Sequence, residues 1–184
     1  MAALAGRSDA RRSRGELPLL LAGHRTAAEA VAALVAEASP RDFNPAWLLC
    51  ADRETCWYLD WTGAGSGAPR RLPPGLHVLE NHPLEGETPK SAAVRAAVAP
   101  LLDAPAPGLT AALLGVLGSH TPPPEPVPGR PPETLAACVH FGPYGTRCAS
   151  VVEVGEGAPR FTWTDGPPCV NPPRVARWSG APEG

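Results

Sequence analysis

With 184 residues and a formal net charge of −2, the chain is long enough for one domain with its own core, and it offers no electrostatic reason to expect nucleic acid. Its longest strongly apolar run, Leu17 to Ala22, is far too short to span a bilayer, and no basic stretch followed by an apolar one opens the chain as a secretion signal would. Five cysteines at irregular spacings are an odd number, which argues for free thiols in a reducing compartment, so the expectation is a cytoplasmic protein with no membrane span.

In chain order, residues 1–15 form a basic segment in which Arg7, Arg11, Arg12 and Arg14 are interleaved with serine and aspartate. It reads as a loop or a frayed start. A short helix is expected from Glu16 to Ala22 and a longer one from Thr26 to Ala38. Thr26-Ala27-Ala28-Glu29 is a capping box, Val31, Leu34 and Val35 supply an apolar stripe, and Ser39-Pro40 ends the helix. Trp47 to Ala51 and Cys56 to Trp61 then read as an antiparallel hairpin about Asp52-Arg53-Glu54-Thr55.

A small-residue loop from Gly63 to Ala68 leads to Arg70-Arg71 and a strand expected over Gly75 to Glu80. Thr88-Pro89 is a cap followed by proline at the first helical position, which predicts a helix from Pro89 to about Ala99. A further helix from Leu109 to Leu117 stops at Gly118. Thr121 to Pro132 is proline-rich and reads as a coreless surface linker. Strands are expected over Leu135 to Phe141, Thr146 to Val154 and Pro159 to Thr164. Beyond about Arg174, proline and glycine predict a loosely held tail over residues 175–184. The alternation of helical and strand blocks, without βαβ repeats, predicts an α+β fold with an antiparallel sheet, organised as a single domain over residues 16–174.

Tyr144-Gly145-Thr146-Arg147 places an arginine at the start of an apolar strand, where alternation groups Arg147 with Ala149, Val151 and Glu153. A guanidinium in such a place needs an anion or a carbonyl, so Arg147 is a candidate site residue. Cys138, His140 and Cys148 could share one sheet face as metal ligands, but no fourth ligand stands at a useful spacing, and the expectation is no metal and no cofactor. Cys50 and Cys56 on the hairpin are weaker candidates, and His77 and His82 are spaced too far apart to share a helix face. There is no phosphate-cradling glycine loop and no Gly-x-Ser-x-Gly elbow.

Three segments in order resemble the NRDE family, also called the transport and Golgi organisation 2 family. They are Ala2 to Arg7 followed by Ser13 to Leu17, then Pro74 to Asn81 with Leu84 and Lys90, and finally Ala137 to His140 through Tyr144-Gly145-Thr146-Arg147 to Val152. The last is the most specific, because the family carries Tyr-Gly-Thr-Arg between the same two strands. The resemblance implies a likeness to cysteine N-terminal nucleophile hydrolases and a trimmed form of their four-layer αββα sandwich.

The family's opening Met-Cys and its NRDE segment have no counterpart here, since the chain starts Met1-Ala2 at what corresponds to the family's third or fourth strand, and Gly6 replaces the asparagine of the family's Ala-Leu-Thr-Asn strand. Of the family's site, Asn81 and Arg147 remain, the first as an oxyanion donor and the second to orient substrate. Donors without a nucleophile can bind but cannot form an acyl-enzyme. The resemblance therefore implies a non-catalytic protein that binds a small amphipathic ligand, such as haem, a lipid or an amide-containing molecule, or a partner, by the family's association with Golgi organisation and with haem or lipid handling. The alternative is an amide or acyl hydrolase, if the natural start carries Met-Cys or an internal thiol such as Cys148 is reactive.

Overall fold

The computed structural model describes residues 8–63, 67–103 and 106–176. Its elements are mixed helix and antiparallel sheet, in agreement with the α+β expectation. They fall into two compact units, one of residues 1–75 with 79–86 and one of residues 76–78 with 87–184. Segments Ala2 to Arg7 and 177–184, which carry part of the family resemblance and most of the expected tail, lie outside the described residues.

The N-terminal unit begins with a docked segment. Ser13 and Glu16 form a capping box over a 3-10 turn, Arg14–Glu16, that runs into α1 (Leu17–Leu21). Upstream, the buried Asn44 side chain accepts the Ser8 N–H at 2.7 Å and donates to the carbonyls of Ser8, Arg11 and Arg12. Arg12 pairs with Glu16 at 2.8 Å and stacks its guanidinium 4.4 Å from the Phe43 ring centroid. A frayed start does not describe residues 8–15: the Asn44 side chain and backbone bonds between Arg12 and both Asp42 and Asn44 hold them in place.

Helix α2 (Ala27–Glu37) carries the expected Thr26–Glu29 capping box. Ala27, Ala30, Val31 and Leu34 are buried, whereas Val35 is 43 % exposed and falls off the stripe. Strands β1 (Ala46–Ala51) and β2 (Cys56–Trp61) pair antiparallel, with Leu48 opposite Leu59. The core joins Leu17, Val31, Leu34, Phe43, Leu48, Leu59 and Trp61. β3 (Arg70–Leu72), not expected, adds to the far edge of β2.

In the C-terminal unit, α3 (Pro89–Val98) starts at the Thr88 cap and α4 (Ala106–Leu117) follows a short 3-10 turn. The strand expected over Gly75 to Glu80 is absent apart from an isolated bridge between Glu80 and His82. The Leu76 carbonyl is taken instead by the Arg95 guanidinium at 2.9 Å. The linker over Thr121 to Pro132 is irregular as expected, although Pro123 is buried.

Leu135 to Phe141 is likewise not a continuous strand. A 3-10 turn (Pro132–Leu135) and an irregular stretch precede β4 (His140–Phe141), which pairs with β5 (Tyr144–Gly145). β6 (Ser150–Glu153), β7 (Arg160–Thr164) and β8 (Pro173–Ala176) form an antiparallel sheet in that order. β8 occupies residues at the head of the expected tail. Proline is tolerated there because Pro173 opens an edge strand, where no ladder donor is required of it. No helix among the described residues is long and apolar enough to cross a membrane.

Candidate metal centre

Four side chains from distant points of the C-terminal unit converge. His120, Cys138, His140 and Cys169 each present a ligand atom, and these atoms all lie within 4.8 Å of one another. Cys138 Sγ is 3.6 Å from Cys169 Sγ and 3.8 Å from His140 Nε2, while His140 Nε2 lies 3.1 Å from Cys169 Sγ. The His120 and His140 rings are tilted against each other, with centroids 5.1 Å apart. A tetrahedral zinc ion with bonds of about 2.3 Å to sulfur and about 2.0–2.1 Å to nitrogen has edges of about 3.8 Å between sulfurs and about 3.6 Å between sulfur and nitrogen. The Cys138–Cys169 and Cys138–His140 separations are within about 0.2 Å of these edges, and the His140–Cys169 separation is about 0.5 Å shorter.

Local structure accounts for each position. His120 follows the end of α4, where Gly118 N–H caps back to Leu114 and Ser119 O accepts the Cys138 N–H at 2.9 Å. That bond pins the two chain segments together. His120 Nδ1 lies 3.0 Å from Cys138 O, the geometry of an N–H donating to a carbonyl. This fixes the tautomer and leaves Nε2 with its lone pair free for a metal. Cys169 sits in the turn Pro167 to Asn171, whose Val170 and Asn171 N–H groups both donate to Pro167 O.

Cys138 and His140 flank Val139, which Thr146 grips from just beyond β5. Thr146 Oγ1 accepts the Val139 N–H at 2.9 Å, and Thr146 N–H donates to Val139 O at 2.9 Å. Gly145 is required by this close approach, since a Cβ there would stand 2.9 Å from Val139 O. Cys138 is wholly buried, Cys169 is half-buried, and both imidazoles are exposed, so the site is closed on its sulfur side and open on its nitrogen side. Burial, and then the neighbouring Cys169 thiol, push the Cys138 thiol up, while the Cys169 amide and the Thr146 hydroxyl favour its thiolate. A bound dication would reverse the balance by stabilising both thiolates.

The expectation that no fourth ligand stands within reach differs from this arrangement, in which four candidate ligand atoms come together. Cys138 and His140 do lie together, but Cys148 is exposed and is not one of the four, and the other two candidate ligands are His120 and Cys169. Sequence separations of 18 and 29 residues match no regular ligand spacing, which is why they were not legible. The available signals were weaker ones: both residues stand in Gly- or Pro-rich turns at the ends of elements.

Of the two family-matched residues, Asn81 is exposed in the Glu80–His82 turn of the N-terminal unit, and Arg147 is exposed in the C-terminal unit. The strand begins at Ser150, three residues beyond Arg147, so the expected alternation with Val151 and Glu153 does not carry back to it. Cys50 and Cys56 are free and sit on paired strands with their registers offset by one residue. Compared with known proteins, the chain matches no family model and no curated protein.

Proposed function

We propose that the C-terminal unit is a zinc-binding module in which His120, Cys138, His140 and Cys169 hold one ion in a structural role. The observation that carries this is the convergence of four ligand atoms within 4.8 Å, drawn from three segments far apart in sequence. Two thiolates with two imidazoles suit zinc among the common divalent ions. Four protein ligands complete a tetrahedron and leave no position for a reacting water, so the ion cross-links the chain and does not hydrolyse a substrate. It would tie the segment after α4 to the β4 strand and to the turn before β8, in a unit whose sheet has only three strands.

Metal analysis of the protein purified under reducing conditions tests this, together with cobalt substitution. One equivalent of metal per chain is expected, with the visible bands of tetrahedral cobalt and a thiolate charge-transfer band in the near ultraviolet. Substoichiometric metal, or cobalt spectra without thiolate character, would overturn the reading.

The NRDE resemblance supports a second, compatible reading: a non-catalytic binder of a small amphipathic ligand such as haem or lipid, or of a partner, on a trimmed αββα scaffold. Its support is the order of the matched segments and the placement of Tyr144-Gly145-Thr146-Arg147 between β4 and β6. The five free cysteines support a reducing, cytoplasmic setting for either reading. Haem titration followed in the Soret region tests the binder, with Arg147→Ala expected to weaken binding at little cost in stability. The hydrolase alternative requires one fast-reacting thiol well below pH 8, and slow uniform alkylation of all five would sink it.

A further inference from the structure

We propose that the metal centre is a peroxide-responsive thiol switch, in which Cys138 and Cys169 form a disulfide and release the ion. The inference rests on the zinc reading. The two sulfurs stand 3.6 Å apart, about 1.6 Å more than a disulfide bond, so a small movement of one of them suffices. Cys138 is wholly buried, its N–H is held by Ser119 O, and its neighbour Val139 is gripped by Thr146. Cys169 is the half-buried partner on a turn and the more exposed of the two cysteines. Exposure therefore favours one thiolate, and burial holds the other.

The steps follow from this asymmetry. The Cys169 thiolate attacks one oxygen of a hydroperoxide, the O–O bond breaks, and hydroxide or alkoxide leaves, giving a Cys169 sulfenic acid. The Cys138 thiolate then attacks Cys169 Sγ, the S–O bond breaks, and hydroxide leaves as the S–S bond forms. Two electrons pass from the two thiolates to the peroxide, and two protons from solvent convert the departing anions to water, or to water and an alcohol. Two imidazoles alone hold zinc weakly, so the ion departs. The new bond keeps residues 138 and 169 tied, whereas His120 and the β4–β5 hairpin, with its exposed Phe141 and Tyr144, lose their anchor.

The test uses the full-length zinc-loaded protein, in wild-type and Cys148→Ser forms. Zinc content is read before oxidation, and a deficit at that stage defeats the metal reading and the switch with it. Hydrogen peroxide at one equivalent is then added, zinc release is followed with a chromogenic chelator, and disulfides are located by peptide mapping. One zinc released per chain is expected, with a Cys138–Cys169 cross-linked peptide in both forms, reversed by a dithiol and fresh zinc. A Cys169→His variant keeps four ligands without the second sulfur and is expected to retain its zinc at the same dose. Zinc retained by the wild type, or released with Cys148 in the disulfide or with sulfinic acids in place of a disulfide, would overturn the switch while leaving the metal reading intact.

Discussion

Thr146 and Val139 are joined by a reciprocal pair of hydrogen bonds, each 2.9 Å long, in which the threonine hydroxyl accepts the valine N–H and the threonine N–H donates to the valine carbonyl. Val139 is buried and stands between two of the proposed metal ligands, so the clamp sets the directions in which Cys138 and His140 point. Thr146→Val keeps the shape and removes the acceptor, stranding a buried N–H at a cost of about 1–3 kcal/mol. Zinc affinity is expected to fall about 10–100-fold, as for other outer-shell partners of ligands. Competition against a chelator of known affinity measures this, and Thr146→Ser should restore most of it.

Gly145→Ala addresses the same strand pair by another route. The added Cβ would stand 2.9 Å from Val139 O, and because both atoms belong to or sit next to backbone, the hairpin must shift. A loss of about 1–3 kcal/mol is expected, in line with overpacking elsewhere. Gly155→Ala, where nothing lies within 4 Å of the added atom, is the matched control and should leave the unfolding midpoint nearly unchanged.

Removal of the metal should act locally. Chelation is expected to lower the thermal midpoint by an amount that depends on free zinc, because the ion binds the native state. Hydrogen exchange should quicken at Cys138, Val139 and the Pro167–Asn171 turn. Leu59 and Trp61, in the core of the other unit, should keep their protection. Uniform quickening across both units would contradict a local cross-link.

Asp52 predicts a pH dependence. The Ala27 N–H first, then those of Glu54 and Thr55, donate to its carboxylate and lower its pKa from 3.8 to about 2. With the folded value below the unfolded one, the carboxylate's contribution is fully present above about pH 4. It is lost as pH falls through about 2. Denaturant unfolding measured between these limits should show a decline in stability in the wild type that is shallower in Asp52→Asn.

Leu59 and Val35 give a contrast within the N-terminal unit. Leu59 is fully buried between helix and sheet, and Leu59→Ala should cost about 2–5 kcal/mol. Val35 is 43 % exposed, and Val35→Ala should stay within about 0.5 kcal/mol. Equal effects would show that the stripe read from periodicity, and not the observed one, faces the core.

What the chain's own residues determined is what short-range chemistry can enforce. Thr26 and Glu29 are three residues apart, so their mutual capping needs no other part of the molecule, and α2 starts where the pattern placed it. Asp52 likewise closes its own turn, through Glu54 and Thr55, and the β1–β2 register follows. Thr88 and Pro89 set the start of α3 in the same way.

Tertiary structure decided the rest. Strand propensity over Leu135 to Phe141 yielded to bonds from Ser119 and Thr146, which meet the backbone of Cys138 and Val139 before a sheet partner can. Pro173 reads as a breaker, yet β7 offered it an edge. Alternation along an assumed strand singled out Cys148 and Arg147, both of which are exposed. Of the four proposed metal ligands, His140 opens the short strand β4 and the other three lie in loops, which take their places from what packs beneath them. His120, Cys138, His140 and Cys169 therefore became neighbours only through contacts spanning up to 49 residues, which no local pattern encodes.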